Sequence, residues 1–354
     1  MASDAPIFDH HADAALHAAI ARAEGIGEIA AAAASIAEVA GAAVAAAADV
    51  QSTTAMISAL NDAVTVRVVD AIAREMGVDL ARACWLAFGS QARGEQTIAT
   101  DQDNGLVFAS DDAERDRPRW MAFGQRVNEA LAVCGYPLCD GRVMAGQAPC
   151  CLTTDEWCRR FEHWMAHGSG NDLLAARIYF DLRPLAGRPE LADPVIALLH
   201  SPAAAVPRFV KQMADVVLCN HVPLNWFGGV MTMPHHDRPM FDLKMHGTAL
   251  FVDAARLWAL AFAIADTGTV PRLRAAAANL HVPASELEAW IQGFLELQRL
   301  RLIVQRRRVR ANADPEDRTW VAWDEVDAAQ RQTLKRALRA ARWVQQRIEL
   351  DYRR

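Results

Sequence analysis

The chain has no excess of basic charge. Against 43 Asp and Glu it carries 37 Lys and Arg, a net charge of −6 with a pI near 6. A nonspecific nucleic-acid binder needs a basic face to neutralise phosphates, so that class is not expected, and a basic stretch such as 305–310 (QRRRVR) reads as a solvated helix face. A secretory leader is also missing, because MASDAPIFDHHADAA offers no basic segment followed by a leucine-rich core. Nor is a membrane span expected. The apolar stretch from Ile29 to Val50 is mostly alanine, which is weakly apolar and strongly helix-forming, and Ser35, Glu38 and Asp49 interrupt it. The seven cysteines lack paired C-x-x-C spacing around Cys134, Cys139, Cys150, Cys151 and Cys158. They read as reduced thiols of a cytoplasmic protein rather than as zinc ligands. Internal repeats and long low-complexity linkers are absent as well.

What is present is an ordinary globular composition, 52% apolar and 23% charged over 354 residues, enough for two or three cores. Residues 1–78 read as a helical segment, with Met56, Leu60, Val64, Val68 and Ile72 at near-helical spacing before Gly77. Residues 79–188 alternate short apolar runs with amphipathic stretches such as Trp120 to Val133, the pattern of an α/β domain with a small mixed sheet. Arg183-Pro184 and Gly187-Arg188-Pro189 mark its end. Residues 189–354 read as a helical bundle punctuated by Pro207, Pro223, Pro234, Pro239, Pro271 and Pro283. The fold class expected is therefore α+β.

The most informative stretch is WLAFGSQARGEQTIATDQDNGLVFA, Trp85 to Ala109. Cys84 to Phe88 suits a buried strand, and Gly89-Ser90 interrupts it where the backbone can approach a phosphate closely. Asp101 and Asp103 lead into the apolar run at Leu106, so in extended backbone both carboxylates share one face. Beside a nucleoside triphosphate two bare aspartates would repel it unless a cation lay between, and Mg²⁺, or Mn²⁺ in its place, accepts such a donor pair. Arg93 is placed to meet a triphosphate, Glu95 to orient the turn, and Gln96, Thr97 and Thr100 to shape the loop. His235-His236-Asp237 reads as a loop rather than a metal centre, because adjacent strand residues face opposite ways.

The order Gly-Ser, spacer, Asp-x-Asp resembles the nucleotidyltransferase fold of the DNA polymerase beta superfamily. FGSQARGEQTIATDQDN looks more specifically like the signal-transduction nucleotidyltransferases related to the uridylyltransferase that acts on the PII protein. GYPLCDGRVMA, EWCRRFEHW, IYFDLRPLAG, FDLKMHGTALFVDAARLWAL and FLELQRLRLIVQ agree in order, after a helix ending ISALNDAVTVRVVDAIAREMG, so the resemblance covers most of the chain. It implies a polymerase beta-like domain followed by a helical substrate-binding domain. UTP or ATP would be the donor, and a protein hydroxyl the acceptor. It also implies a third carboxylate, for which Asp140 is the first candidate and Asp181 the second, and it makes Lys244, near Asp242, Asp253 and Arg256, a candidate phosphate or base contact. A small-molecule acceptor, or a catalytically weak nucleotide-sensing module, are the alternatives.

Overall fold

The computed structural model describes residues 10–201, 206–311 and 313–352. The chain divides into two compact units, Met1–His163 with Ile178–Leu199, and Trp164–Arg177 with His200–Arg354.

The first unit begins with four helices, α1 (His10–Arg22), α2 (Ile26–Ala34), α3 (Ile36–Ala45) and α4 (Val50–Met76). The Asp49 carboxylate caps α4 by accepting from the Ser52 N–H, and Gly77 ends it with a left-handed φ of 62°. Leu60, Val64, Val68 and Ile72 are buried as their spacing predicts, whereas Met56 is half-buried and Ile57 takes the inward position. The stretch Ile26–Ala45 is long and apolar enough to cross a membrane by length and composition. Its Ile29, Ala33 and Ile36 instead join the core formed with α4.

The first sheet has the order β3-β2-β1-β4, from β1 (Ala83–Phe88), β2 (Asn104–Phe108), β3 (Cys151–Leu152) and β4 (Leu182–Gly187). β1 runs antiparallel to both neighbours, and β2 parallel to β3. Every residue of β1 and β2 is buried, which is why residues 84–88 and 106–108 read as apolar runs. A single turn, α5 (Gly89–Ala92), follows β1, and α6 (Ala113–Val133) follows β2. The Trp157 indole, on α7 (Thr154–His167), donates to the Leu106 carbonyl 3.1 Å away. The unit closes with α9 (Asp193–Leu199), while α8 (Gly170–Ala176) belongs to the second.

The second unit is mainly helical, with α10 (Pro207–Cys219), α11 (Ala249–Ala261), α12 (Thr269–Leu280), α13 (Ala284–Arg310) and α14 (Ala328–Tyr352). Every residue of α11 from Leu250 to Leu260 is buried, and Trp258 stacks on Trp290 of α13 at 5.2 Å. In the run 305–310 Gln305 is fully buried, and Arg307, Arg308 and Arg310 lie in the last turn of α13, where their charge complements the negative end of the helix dipole.

Pro234 and Pro239 do not punctuate helices; they face each other in a three-stranded antiparallel sheet of β5 (Met233–His235), β6 (Arg238–Asp242) and β7 (Trp320–Ala322). In a hairpin with a two-residue turn, the pair next to the turn-closing pair exchanges no backbone hydrogen bonds, so two prolines fit there without a lost donor.

Gly124 fixes how the loop before β3 lies on α6. A Cβ at Gly124 would stand 2.5 Å from the Ala145 carbonyl. Alanine gains about 1 kcal/mol of helix propensity over glycine, and overpacking against backbone costs roughly 1–3 kcal/mol. Gly124→Ala is therefore expected to lower unfolding stability by up to about 2 kcal/mol in a urea titration, and a stabilised variant would refute this packing.

Candidate active site

β1 delivers the chain to a turn whose geometry requires glycine. Gly89 has φ +55°, its N–H donates to the Asp181 carbonyl at 3.1 Å, and its carbonyl accepts from the Arg93 N–H. A Cβ added at Gly89 would meet Oδ2 of Asp103 at 3.1 Å. The Gly-Ser turn and the second aspartate thus lie in contact across twelve intervening residues, bridged at the backbone by the Phe88 N–H donating to the Asp103 carbonyl at 2.9 Å. Ser90 is half-buried within the single turn of α5.

Asp101 and Asp103 precede β2 in extended chain, and their neighbours decide where they point. Along 101–104 burial alternates: Asp101 is exposed, Gln102 buried, Asp103 half-buried and Asn104 buried. The inward pair belongs to a network of three carboxamides. Asn128, 1% exposed on α6, donates through Nδ2 to Gln102 Oε1 and Asn104 Oδ1, both at 2.9 Å. Gln102 Nε2 donates to the carbonyls of Asn128 and Tyr136 at 2.9 Å. The loop N–H groups complete the set, Ala145 donating to Asn104 Oδ1 at 2.8 Å and Gly146 to Asn128 Oδ1 at 3.0 Å. Buried amides hold low energy only while partnered, so this network keeps residues 102 and 104 inward and therefore 101 and 103 outward on one face. Two carboxylates on one outward face are hard oxygen donors of the kind Mg²⁺ prefers, and the donor set fits such an ion.

A second polar layer holds the loop between the turn and the aspartates. Thr54, Ser58, Asn61 and Thr65 form a buried polar stripe along α4. Ser58 Oγ accepts from the Gln96 N–H at 2.9 Å, Asn61 Nδ2 donates to Gln96 Oε1, and the Tyr136 hydroxyl donates to Asn61 Oδ1 at 2.8 Å. Gln91 donates to Thr65 Oγ1 and to Asp62, which Arg183 pairs at 2.7 Å. Burial pushes the Asp62 carboxyl above its ordinary range against the pull of Arg183. Gln96 also donates to Thr100, and Thr97 to the Ala99 carbonyl, so these groups shape the loop as expected.

Arg93 bridges two carboxylates, Glu95 at 2.9 Å and the fully buried Asp181 at 2.6 Å. Its charge is matched inside the protein, and the pair ties the turn to the segment entering β4. Asp140 lies on an exposed turn closed by the Arg142 N–H donating to the Cys139 carbonyl at 2.9 Å; no strand forms around it, and Arg142 adopts φ +56°. The turn nevertheless lies near the aspartates, since the Cys139 thiol hydrogen-bonds Asp103 and is pushed up to about 11 by burial and by that carboxylate. All seven cysteines are free, and burial also raises the thiols of Cys84, Cys134 and Cys151.

In the second unit, exposed Lys244 opens a π-helical turn, Lys244–Thr248, that leads into α11. Asp242 accepts from the N–H groups of Lys244 and Met245 at 2.8 and 3.1 Å. Asp253 is paired by Arg256 at 2.5 Å and Arg177 at 3.3 Å, a buried cluster rather than a solvated one.

Gln102, Asn104, Asn128 and the α4 stripe were not picked out by sequence reasoning. Their signal was available as polar residues at helical spacing between the apolar positions of α4, and as amides alternating with the two acids.

Comparison with known families gives two matches. Residues 34–171 match a model described as "Putative nucleotidyltransferase DUF294", and residues 207–352 one described as "Putative nucleotidyltransferase substrate binding domain". No functionally curated protein matches the chain.

Removing the hub of the amide network should be costly. Asn128→Ala leaves the Gly146 N–H without its partner, worth roughly 1–3 kcal/mol when buried, and removes one bond each from Gln102 and Asn104, which keep the Asn128 and Tyr136 carbonyls and the Ala145 N–H. The variant is expected to lose about 2 kcal/mol or more of stability by chemical denaturation, and a loss under ~0.5 kcal/mol, the level of an ordinary surface change, would contradict the network's role.

Proposed function

Because the chain belongs to the DUF294 nucleotidyltransferase family, with its C-terminal substrate-binding domain, we propose that it moves a nucleoside monophosphate from UTP or ATP to a hydroxyl of a protein acceptor in a signalling reaction. The observation that carries this reading is the contact between the Gly89 turn and the Asp103 carboxylate, with Asp101 on the same outward face.

In this reading the triphosphate lies along Gly89 and Ser90, where the missing Cβ admits a phosphate and the serine hydroxyl donates to it. Mg²⁺, or Mn²⁺, held by Asp101 and Asp103 would supply the positive charge that offsets carboxylates and phosphates and stabilises the entering and leaving oxygens. The acceptor oxygen attacks the α-phosphorus in line. One P–O bond forms, the bond to the β-phosphate bridge breaks, pyrophosphate leaves, and the hydroxyl proton passes to Asp140 as the third carboxylate. Arg93, oriented by Glu95 and Asp181, is assigned a nucleotide contact by family resemblance. Lys244 is assigned a phosphate contact by family resemblance. The proposed division of labour follows the sequence, with residues 79–188 carrying transfer and 189–354 substrate recognition.

A protein acceptor is favoured over a small molecule by Trp226 and Phe227, each 95% exposed within the matched substrate-binding region. Adjacent exposed aromatics are the side chains that anchor protein contacts. Buried, raised thiols suit a reducing compartment, and we place the reaction in the cytoplasm. The exposed position of Asp140 favours one second reading, a sensor that binds nucleotide with slow or no turnover.

Incubating the protein with Mg²⁺, each labelled triphosphate and a cell lysate should label a specific protein, identified by mass spectrometry. Asp101→Ala with Asp103→Ala is expected to reduce labelling by ~10³-fold, the scale on which electrostatic stabilisation is lost. Equal labelling by that variant would sink the assignment, and Mg²⁺-dependent nucleotide binding by calorimetry without labelling would establish the sensor reading. Trp226→Ser with Phe227→Ser should weaken acceptor binding by about 2 kcal/mol, leaving nucleotide binding unchanged.

A further inference from the structure

A second set of ligating side chains lies in the second unit, and no part of the nucleotidyl-transfer reading bears on it. β5 and β6 are joined by a two-residue turn, His236-Asp237, in which both residues have positive φ, 49° and 58°. That is the backbone of a type I′ turn, usually built from Asn and Gly, and His and Asp occupy it at a cost in strain. The turn changes where the histidines face. Consecutive residues in a straight strand point to opposite sides, but the left-handed backbone at His236 turns its ring back beside that of His235, with centroids 4.3 Å apart.

Both rings converge on one atom contributed from eighty residues further along the chain. His235 Nε2 lies 2.8 Å and His236 Nε2 3.0 Å from Oδ1 of Asp317. Each imidazole must carry its proton on Nε2 to make these bonds, so two protons point at one carboxylate oxygen from two sides. His235 is held further by Trp320, which stacks on it at 4.2 Å and 5° between planes. The neighbouring cation Arg238 is committed to Asp324 at 2.8 Å and to Glu325 at 3.4 Å. Ligand atoms from the three residues all lie within 4.8 Å of one another, and this is the group of that kind found among the described residues.

We propose that His235, His236 and Asp317 bind a divalent transition-metal ion of the zinc class, clamping the β5–β6 hairpin to the segment that enters β7. Two imidazoles and one carboxylate suit zinc and its neighbours rather than Mg²⁺, whose ligands are oxygens. Each neutral imidazole shifts its proton from Nε2 to Nδ1 through solvent, and the Nε2 lone pair so freed turns to the ion with no net loss of protons. His236, 67% exposed, leaves the fourth tetrahedral position open to water or to a ligand from solution. The loop expected from the sequence is the turn at His236-Asp237; the third side chain, Asp317, is distant in sequence, and the turn overrides strand alternation.

Cobalt(II) reports the site directly. Titrating the full chain, free of any polyhistidine tag, with Co²⁺ should give tetrahedral visible bands saturating at about one ion per chain, without thiolate charge-transfer absorption, and Zn²⁺ should bleach them. His236→Ala, at an exposed turn position, should keep the far-ultraviolet dichroism and lose affinity ~10-fold or more, and Asp317→Asn should do the same. Zn²⁺ should raise the melting temperature of the parent protein and of neither variant. Absence of tetrahedral bands, bands with thiolate charge transfer, or unchanged affinity in both variants would each overturn the proposal.

Discussion

The carboxamide of Asn128 donates to Gln102 and Asn104 and accepts from the Gly146 N–H, and the outward face at Asp101 and Asp103 depends on those bonds. Strand alternation alone says that two acids at i and i+2 share a face; it does not say which face. A one-residue slip would bury both carboxylates without partners, at a cost far above that of any single hydrogen bond. The network removes the choice. Residues 102 and 104 find complete partnership inside and 101 and 103 are left to the other side. The loop that adds the Ala145 and Gly146 N–H groups to this network lies against α6 so closely that Gly124 has no room for a Cβ, so helix, loop and strand are set together rather than in sequence.

The α+β architecture was legible wherever burial is one-sided or complete. The continuous apolar run Cys84 to Phe88 became a central strand, and the spacing of Leu60, Val64, Val68 and Ile72 became the apolar face of α4. The juxtaposition of a Gly-Ser turn with an Asp-x-Asp pair was legible from order and spacing, because glycine at positive φ and alternating acids are local properties.

What escaped reading was non-local. The partner of Arg93 is Asp181, 88 residues away, and nothing around either residue announces the other. The strands of the second sheet were hidden because prolines read as helix punctuation, while their tolerance depends on which register pair they occupy. Asp140 shows the same limit from the other side: the residues before Gly141 resemble a strand start, yet Arg142 adopts a left-handed backbone and the segment turns instead. The polar stripe of α4 was visible as composition, but its meaning lay in the loop it receives.

That stripe bears on modularity. Ser58, Asn61, Asp62 and Thr65 satisfy the backbone and side chains of the segment from Gln91 to Gln96, so the helix before the sheet works as the floor on which the loop between the Gly89 turn and the aspartates is laid. The smallest piece of this chain able to keep that loop in shape therefore starts upstream of the first strand, and the matched family region, which opens at residue 34, includes the whole of α4. A fragment cut at the sheet would retain each acid and glycine of the candidate site and lose the surface that gives them their spacing.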